Sequence, residues 1–156
     1  MAGVLTIDEL AARCGHFGHR AARLFELAGR WSSLAEDDMT RGVLARLSTY
    51  CGTHVEWWEQ RRPALSLDAG GVPHLDESAQ RVAVAMAALA DEGPTSLGLR
   101  GLHELVTQLT ADLADWAAGH DPDVDAPTVR VLNLVVADLR DAAVRLGDVL
   151  EGHGKP

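Results

Sequence analysis

Ile7, Leu10, Cys14, Phe17, Ala21, Leu24, Ala28 and Trp31 follow one another at alternating steps of three and four. Those steps line up only on an α-helix, where they draw one apolar stripe along one side. A stripe that long must be covered by another long element, which points to packed helices. The same period returns along the chain. Val43, Leu44, Leu47, Cys51, His54, Val55 and Trp58 mark a second helix, and Ala79, Val82, Met86 and Leu89 a third. Leu99, Leu102, Val106, Leu109, Leu113 and Trp116 mark a fourth. The fifth is apolar over a broad arc, Val129, Leu132, Val135, Val136, Leu139, Ala143, Leu146 and Leu150, and so expects neighbours on two sides.

The breaks between stripes carry ordinary stop and start chemistry. Thr6-Ile7-Asp8-Glu9 has the form of a capping box, and Ser32 to Asp38 reads as a short polar connection. Asp68-Ala69-Gly70-Gly71-Val72-Pro73 breaks the chain within the longest connection. Gly93-Pro94 stops the third helix, and Pro127 suits the first turn of the fifth. Helices are therefore expected over about 6–31, 37–62, 77–92, 96–118 and 126–150, in one domain spanning 1–156. The expected fold is all-α, a four- or five-helix bundle of two antiparallel pairs joined by a crossover.

Charge narrows the partners. The chain carries a net charge of −9, and its basic residues are scattered, with no run longer than Arg61-Arg62. Nucleic acid and anionic membrane surfaces are not expected, because both are bound mainly through Lys and Arg. No apolar run approaches the roughly 20 residues of a membrane span. The opening Met1-Ala2-Gly3-Val4-Leu5 lacks the basic start of a secretory signal, and two cysteines are too few for a disulfide framework. The expected location is cytoplasmic.

Sorting polar residues by helix face separates surface from candidate site. His16, His19 and Glu26 fall between the stripe residues of the first helix and are expected at the surface. Cys51 and His54 lie on the core stripe of the second, together with Trp58. A hairpin turning near residue 34 sets Cys14 opposite His54 and Phe17 opposite Cys51. Cys14, Cys51, His54 and Trp58 are thus the candidate ligand-binding residues. One reading packs the thiols like alanine and satisfies the imidazole with a hydroxyl or carboxylate. A second makes Cys14, Cys51 and His54 a redox or transition-metal site for iron or zinc. A third joins the cysteines in a disulfide. A second hairpin turning near residue 122 brings His103 towards Asp138 or Asp141 as an ion pair on the flank. There is no Gly-rich phosphate loop, G-x-S-x-G, H-E-x-x-H or C-x-x-C.

Two segments, Thr49-Tyr50-Cys51-Gly52-Thr53-His54-Val55-Glu56-Trp57-Trp58 and Pro127-Thr128-Val129-Arg130-Val131-Leu132 leading to Ala137-Asp138-Leu139-Arg140-Asp141, together with the helix lengths, carry a resemblance. With them the chain resembles the ferritin-like family of four-helix carboxylate proteins. The resemblance implies a bundle with a central crossover and a di-metal centre built from Glu-x-x-His on two helices and a Glu on each of the others. Here the second helix offers Cys51-x-x-His54, the fifth has no histidine before His153, and Phe17 and Ala21 stand where the first would supply glutamate. The expectation is a ferritin-like bundle without a metal centre or other cofactor, a non-catalytic module binding a small apolar ligand, a protein partner or a second copy of itself. The alternative is an oxygenase-like enzyme using the Cys/His cluster.

Overall fold

The computed structural model describes residues 5–62 and 77–153, and the side chains of all of these except 77–79. Five helices account for nearly all of it: α1 (Ile7–Leu34), α2 (Asp38–Arg61), α3 (Glu77–Glu92), α4 (Ser96–Ala118) and α5 (Ala126–His153). No strand occurs among the described residues, and no helix of theirs is long and apolar enough to cross a membrane. The break at residues 68–73 and the inward position expected of Ala79 lie outside what is described.

Local chemistry starts and stops these helices. Thr6 and Glu9 form the capping box in full, each side chain meeting the other's backbone N–H. The connection after α1 is shorter than Ser32 to Asp38. Helix continues to Leu34, where the Ser32 and Ser33 hydroxyls donate back to the Gly29 and Arg30 carbonyls. Asp37 then caps α2 by accepting from the Thr40 N–H. The corner between α3 and α4 is made by glycine. Gly93 holds φ at +69°, a left-handed turn open to a residue without Cβ. A Cβ on Gly98, in the first turn of α4, would sit 2.0 Å from the Gly93 carbonyl oxygen.

Each helix runs antiparallel to the one before it, and four of them enclose the core. α1 packs on α2, α2 on α5, and α5 on α4. Side chains close the fourth side, where Arg20 meets Asp112 and Phe17 stacks on Trp116 between α1 and α4. α2 and α4 consequently run in the same direction on a diagonal. α3 carries the chain back between them, lying outside the α1–α4 edge and touching both. This is the expected pair of antiparallel hairpins joined through a crossover, with α3 inside the crossover.

The core is the set of expected stripes with small rotations at the ends. Leu24, Ala28, Trp31, Leu44, Leu47, Leu99, Leu102, Val106, Leu132 and Leu139 are all sealed from solvent. α5 does have neighbours on two sides, α2 and α4. In its last turns Ala142 and Val149 take the inward places expected of Ala143 and Leu150, which stay half-buried beside them. Ile7 was expected on the stripe and is exposed, because α1 begins beyond the level at which α2 ends.

Candidate functional site

The interior polar chemistry lies along the seam between α2 and α5. His54 is 1% exposed, and its Nε2 stands 3.0 Å from an Asp138 carboxylate oxygen on α5. Burial lowers the His54 pKa from its ordinary 6.5 against the opposing pull of the Asp138 carboxylate. The imidazole is therefore neutral near pH 7, with its proton on the nitrogen that faces the carboxylate. Tyr50 lies one turn earlier on α2, its ring parallel to that of His54, and its hydroxyl donates to Asp141 at 3.0 Å. Arg145 donates to the same carboxylate at 2.8 Å, and its hydrogen bond holds Asp141 below the usual carboxylate range. Two rungs thus cross the seam one turn apart, His54 to Asp138 and Tyr50 to Asp141. The first answers the need of a buried imidazole for a partner, and it comes from a carboxylate on the flank of its own helix.

Neither cysteine is in a disulfide, and both are buried. Burial, with the Asp138 charge nearby, pushes the Cys51 thiol up to about 12. Burial pushes Cys14 up to about 11, and the charges that reach it are Arg61, Asp125 and Arg62. Cys14 therefore belongs to the end of the bundle. The expected facing of Cys14 with His54 is corrected by the side chains that do meet. Gly18 lies against Trp58, Gly29 against Ser48, and Gly52 against Phe25. In that register His54 faces residues 22–23 of α1, and Cys14 stands about two turns, roughly 12 Å, further along. The bend lies at Ala35–Asp37, later than residue 34, which shifts the facing pairs in the observed direction and accounts for part of the change. Cys14, Cys51 and His54 do not form one constellation. Among the described residues no three His, Cys, Asp or Glu side chains come together as a metal-holding group.

Trp58 packs instead with Phe17 and Trp116, ring centroids 5.9 and 5.5 Å away. Beyond this aromatic cluster, at the open end of α2, Arg61 donates to the Thr128 hydroxyl at 2.9 Å and to Asp125 at 3.3 Å. Asp125 also accepts from the Thr128 backbone N–H, and His120 approaches it at 3.5 Å. Burial would raise the Asp125 pKa, but the Thr128 hydrogen bonds and Arg61 outweigh it and hold the carboxyl low. This cluster fastens the start of α5 to the end of α2. His103 does not pair with Asp138 or Asp141, whose partners are on α2 and within α5. It lies instead near Gly147.

A second polar feature, missed in the sequence, joins α1 to α4. Arg20 is 5% exposed and donates from Nη1 to Asp112 at 2.9 Å, while its buried Nε has no partner among the described residues. Its position three residues after Phe17 and four before Leu24 places it at the edge of the core stripe, the signal that could have found it. On its outer side a cavity of about 230 Å³ runs between α1 and α3, lined by His16, His19, Arg20, Arg23, Val82, Ala83 and Met86. His19 is exposed as expected, but His16 is half-buried with its ring against the edge of Phe17. A larger cleft of about 550 Å³ lies between α3 and α4 over Leu89, Leu97 and Gly101. Neither a protein-family model, nor a curated protein, nor a solved structure matches this chain.

Proposed function

We propose that this chain is a ferritin-like bundle in which binding has replaced metal chemistry, a non-catalytic module that takes a small ligand or a protein partner. The observation that carries the reading is the engagement of His54. The one imidazole at the position of a family metal ligand is committed to Asp138 at 3.0 Å and sealed by the core. The residue three before it is Cys51, whose thiol keeps its proton to about 12 and is a poor ligand while it does. Aromatic rings occupy the adjoining interior, whereas open volume lies outside, on both flanks of α3 and beside the start of α5. Buried unbridged thiols suit a reducing compartment, and the cytoplasm is the location we propose.

The test is elemental analysis of the full chain purified from cells supplied with iron, manganese and zinc, before and after a chelator. Metal well below one ion per chain, with no oxygen consumption, is expected. About two ions per chain that resist chelation would overturn the reading. Sedimentation over a concentration series then reports whether the partner is a second copy.

A further inference from the structure

We propose that α3 is a dimerisation helix, its outer face packing antiparallel against α3 of a second copy of this chain. The inference rests on the reading of the bundle as a binding module and names its partner. From Val82 to Ala90 every residue of α3 is apolar. A helix that is apolar all round belongs in an interior. Yet α3 lies outside the four-helix core, and of its described side chains only Met86 is buried. Val84 is 70% exposed, more than any other large apolar residue among those described. With it on the outer face stand Arg81, Ala88 and Asp91, at helical spacing and all exposed.

That face is complementary to itself, which is what a two-fold interface requires of the single patch that serves both copies. Arg81 and Asp91 are equidistant from residue 86, and so are Val84 and Ala88. An antiparallel pair about that point sets Arg81 against the second copy's Asp91, and Val84 against its Ala88, each twice by symmetry. Opposite charges then close both ends of an apolar strip, whereas a parallel pair would set like charge on like. The end of α3 calls for the incoming cation as well. Asp91 and Glu92 lie in its last turn, which holds no basic residue, and the helix dipole disfavours acids there. Arg30 of α1 reaches the Ala90 carbonyl on the inner side, and the second copy's Arg81 arrives on the outer.

Area sets the strength of the pair. A helix of 16 residues is about 24 Å long, and its outer face alone falls short of the roughly 800 Å² per partner of a standard interface. The cleft between α3 and α4 continues the surface, with Ala88 common to both and Leu97, 63% exposed, beyond it. The dimer is therefore reversible, formed and lost with concentration.

Sedimentation equilibrium of the full chain from micromolar to millimolar at pH 7 tests this. A reversible monomer–dimer equilibrium is expected. Val84→Glu is expected to weaken it at least tenfold, with an unchanged thermal midpoint in dilute solution. Arg81→Glu and Asp91→Arg each set like charges together across the pair and are expected to weaken it several-fold. An equal mixture of those two variants, in which every facing pair is again opposite in charge, is expected to recover the parent affinity. A monomer at every concentration, or a dimer indifferent to Val84→Glu, overturns the proposal. No recovery in the mixture overturns the antiparallel pairing. In a monomer, a Val84→Cys thiol shielded from alkylation assigns the face to the chain itself, and a reactive one leaves it to a different protein; both overturn the second copy. A monomer with metal content still low removes this partner alone, whereas tightly held metal removes the broader reading.

Discussion

Asp138 accepts from His54 across the α2–α5 seam at 3.0 Å, yet only one of the two is sealed, the imidazole at 1% and the carboxylate at 30% side-chain exposure. The dependence is unequal. Without His54, Asp138 turns to water; without Asp138, a buried N–H is stranded.

Urea denaturation of the two single variants measures that inequality. His54→Leu is expected to stay within about 1 kcal/mol of the parent, because it replaces a buried polar group by an apolar one of similar size. Asp138→Ala is expected to lose about 1–3 kcal/mol, the cost of an unsatisfied buried donor. Equal losses in both would show the pair to be an interdependent unit.

Stability should also fall on acidification through the histidine range. The His54 pKa is lower in the folded chain than its ordinary 6.5, so the unfolded chain takes up the proton first. Its contribution is complete above about 6.5 and is lost as pH falls from there through the lower folded value. Midpoints measured from pH 8 to 5 in the parent and in His54→Leu isolate this part. A drop of the same size in the variant would assign it to other groups.

Both thiols should be inert in the folded protein. Held up to about 11 and about 12 and buried, Cys14 and Cys51 present almost no thiolate at neutral pH. Ellman's reagent should find none of them in native protein and both in denaturant. Cys51→Ala and Cys14→Ala should each cost about 1–2 kcal/mol, the effect of a small cavity. Rapid native labelling of Cys14 would mean that the end of the bundle opens.

The stripes on α1, α2, α4 and α5 were legible because apolar burial imposes its period on every turn. Those stripes put Cys51, His54 and Trp58 inside the core, where they lie. Which residues face each other across a hairpin was not legible in the same way. That depends on where the chain bends, and Ser32–Leu34 remained helical although their composition suits a turn. The register that results leaves Cys14 about two turns from His54 and near Arg61. The partner of His54 was hidden for a related reason. Asp138 sits on the flank of α5, where a carboxylate is equally at home in water, so its role is set by the helix it packs against.

Glycines in α2 and α4 predict opposite outcomes for one substitution. Gly98→Ala forces a methyl into the Gly93 carbonyl and against Trp31, and should cost about 3 kcal/mol or more. Gly42 is exposed in α2 with nothing within 4 Å of a Cβ, so Gly42→Ala should gain about 0.5–1 kcal/mol. Thermal midpoints measured side by side check both. A tolerated Gly98→Ala would mean that the α3–α4 corner can yield.

Phe17, Trp58 and Trp116 come from three different helices, and the two indoles lie 5.5 Å apart with their planes within 17°. The helices that carry them, α2 and α4, stand on a diagonal and share no backbone contact. Two chromophores so close and so oriented exchange excitation. The part of the aromatic-ultraviolet ellipticity that comes from this pair is therefore an optical gauge, present while the diagonal is closed. A state with every helix intact but the bundle splayed would keep its peptide signal and lose this one.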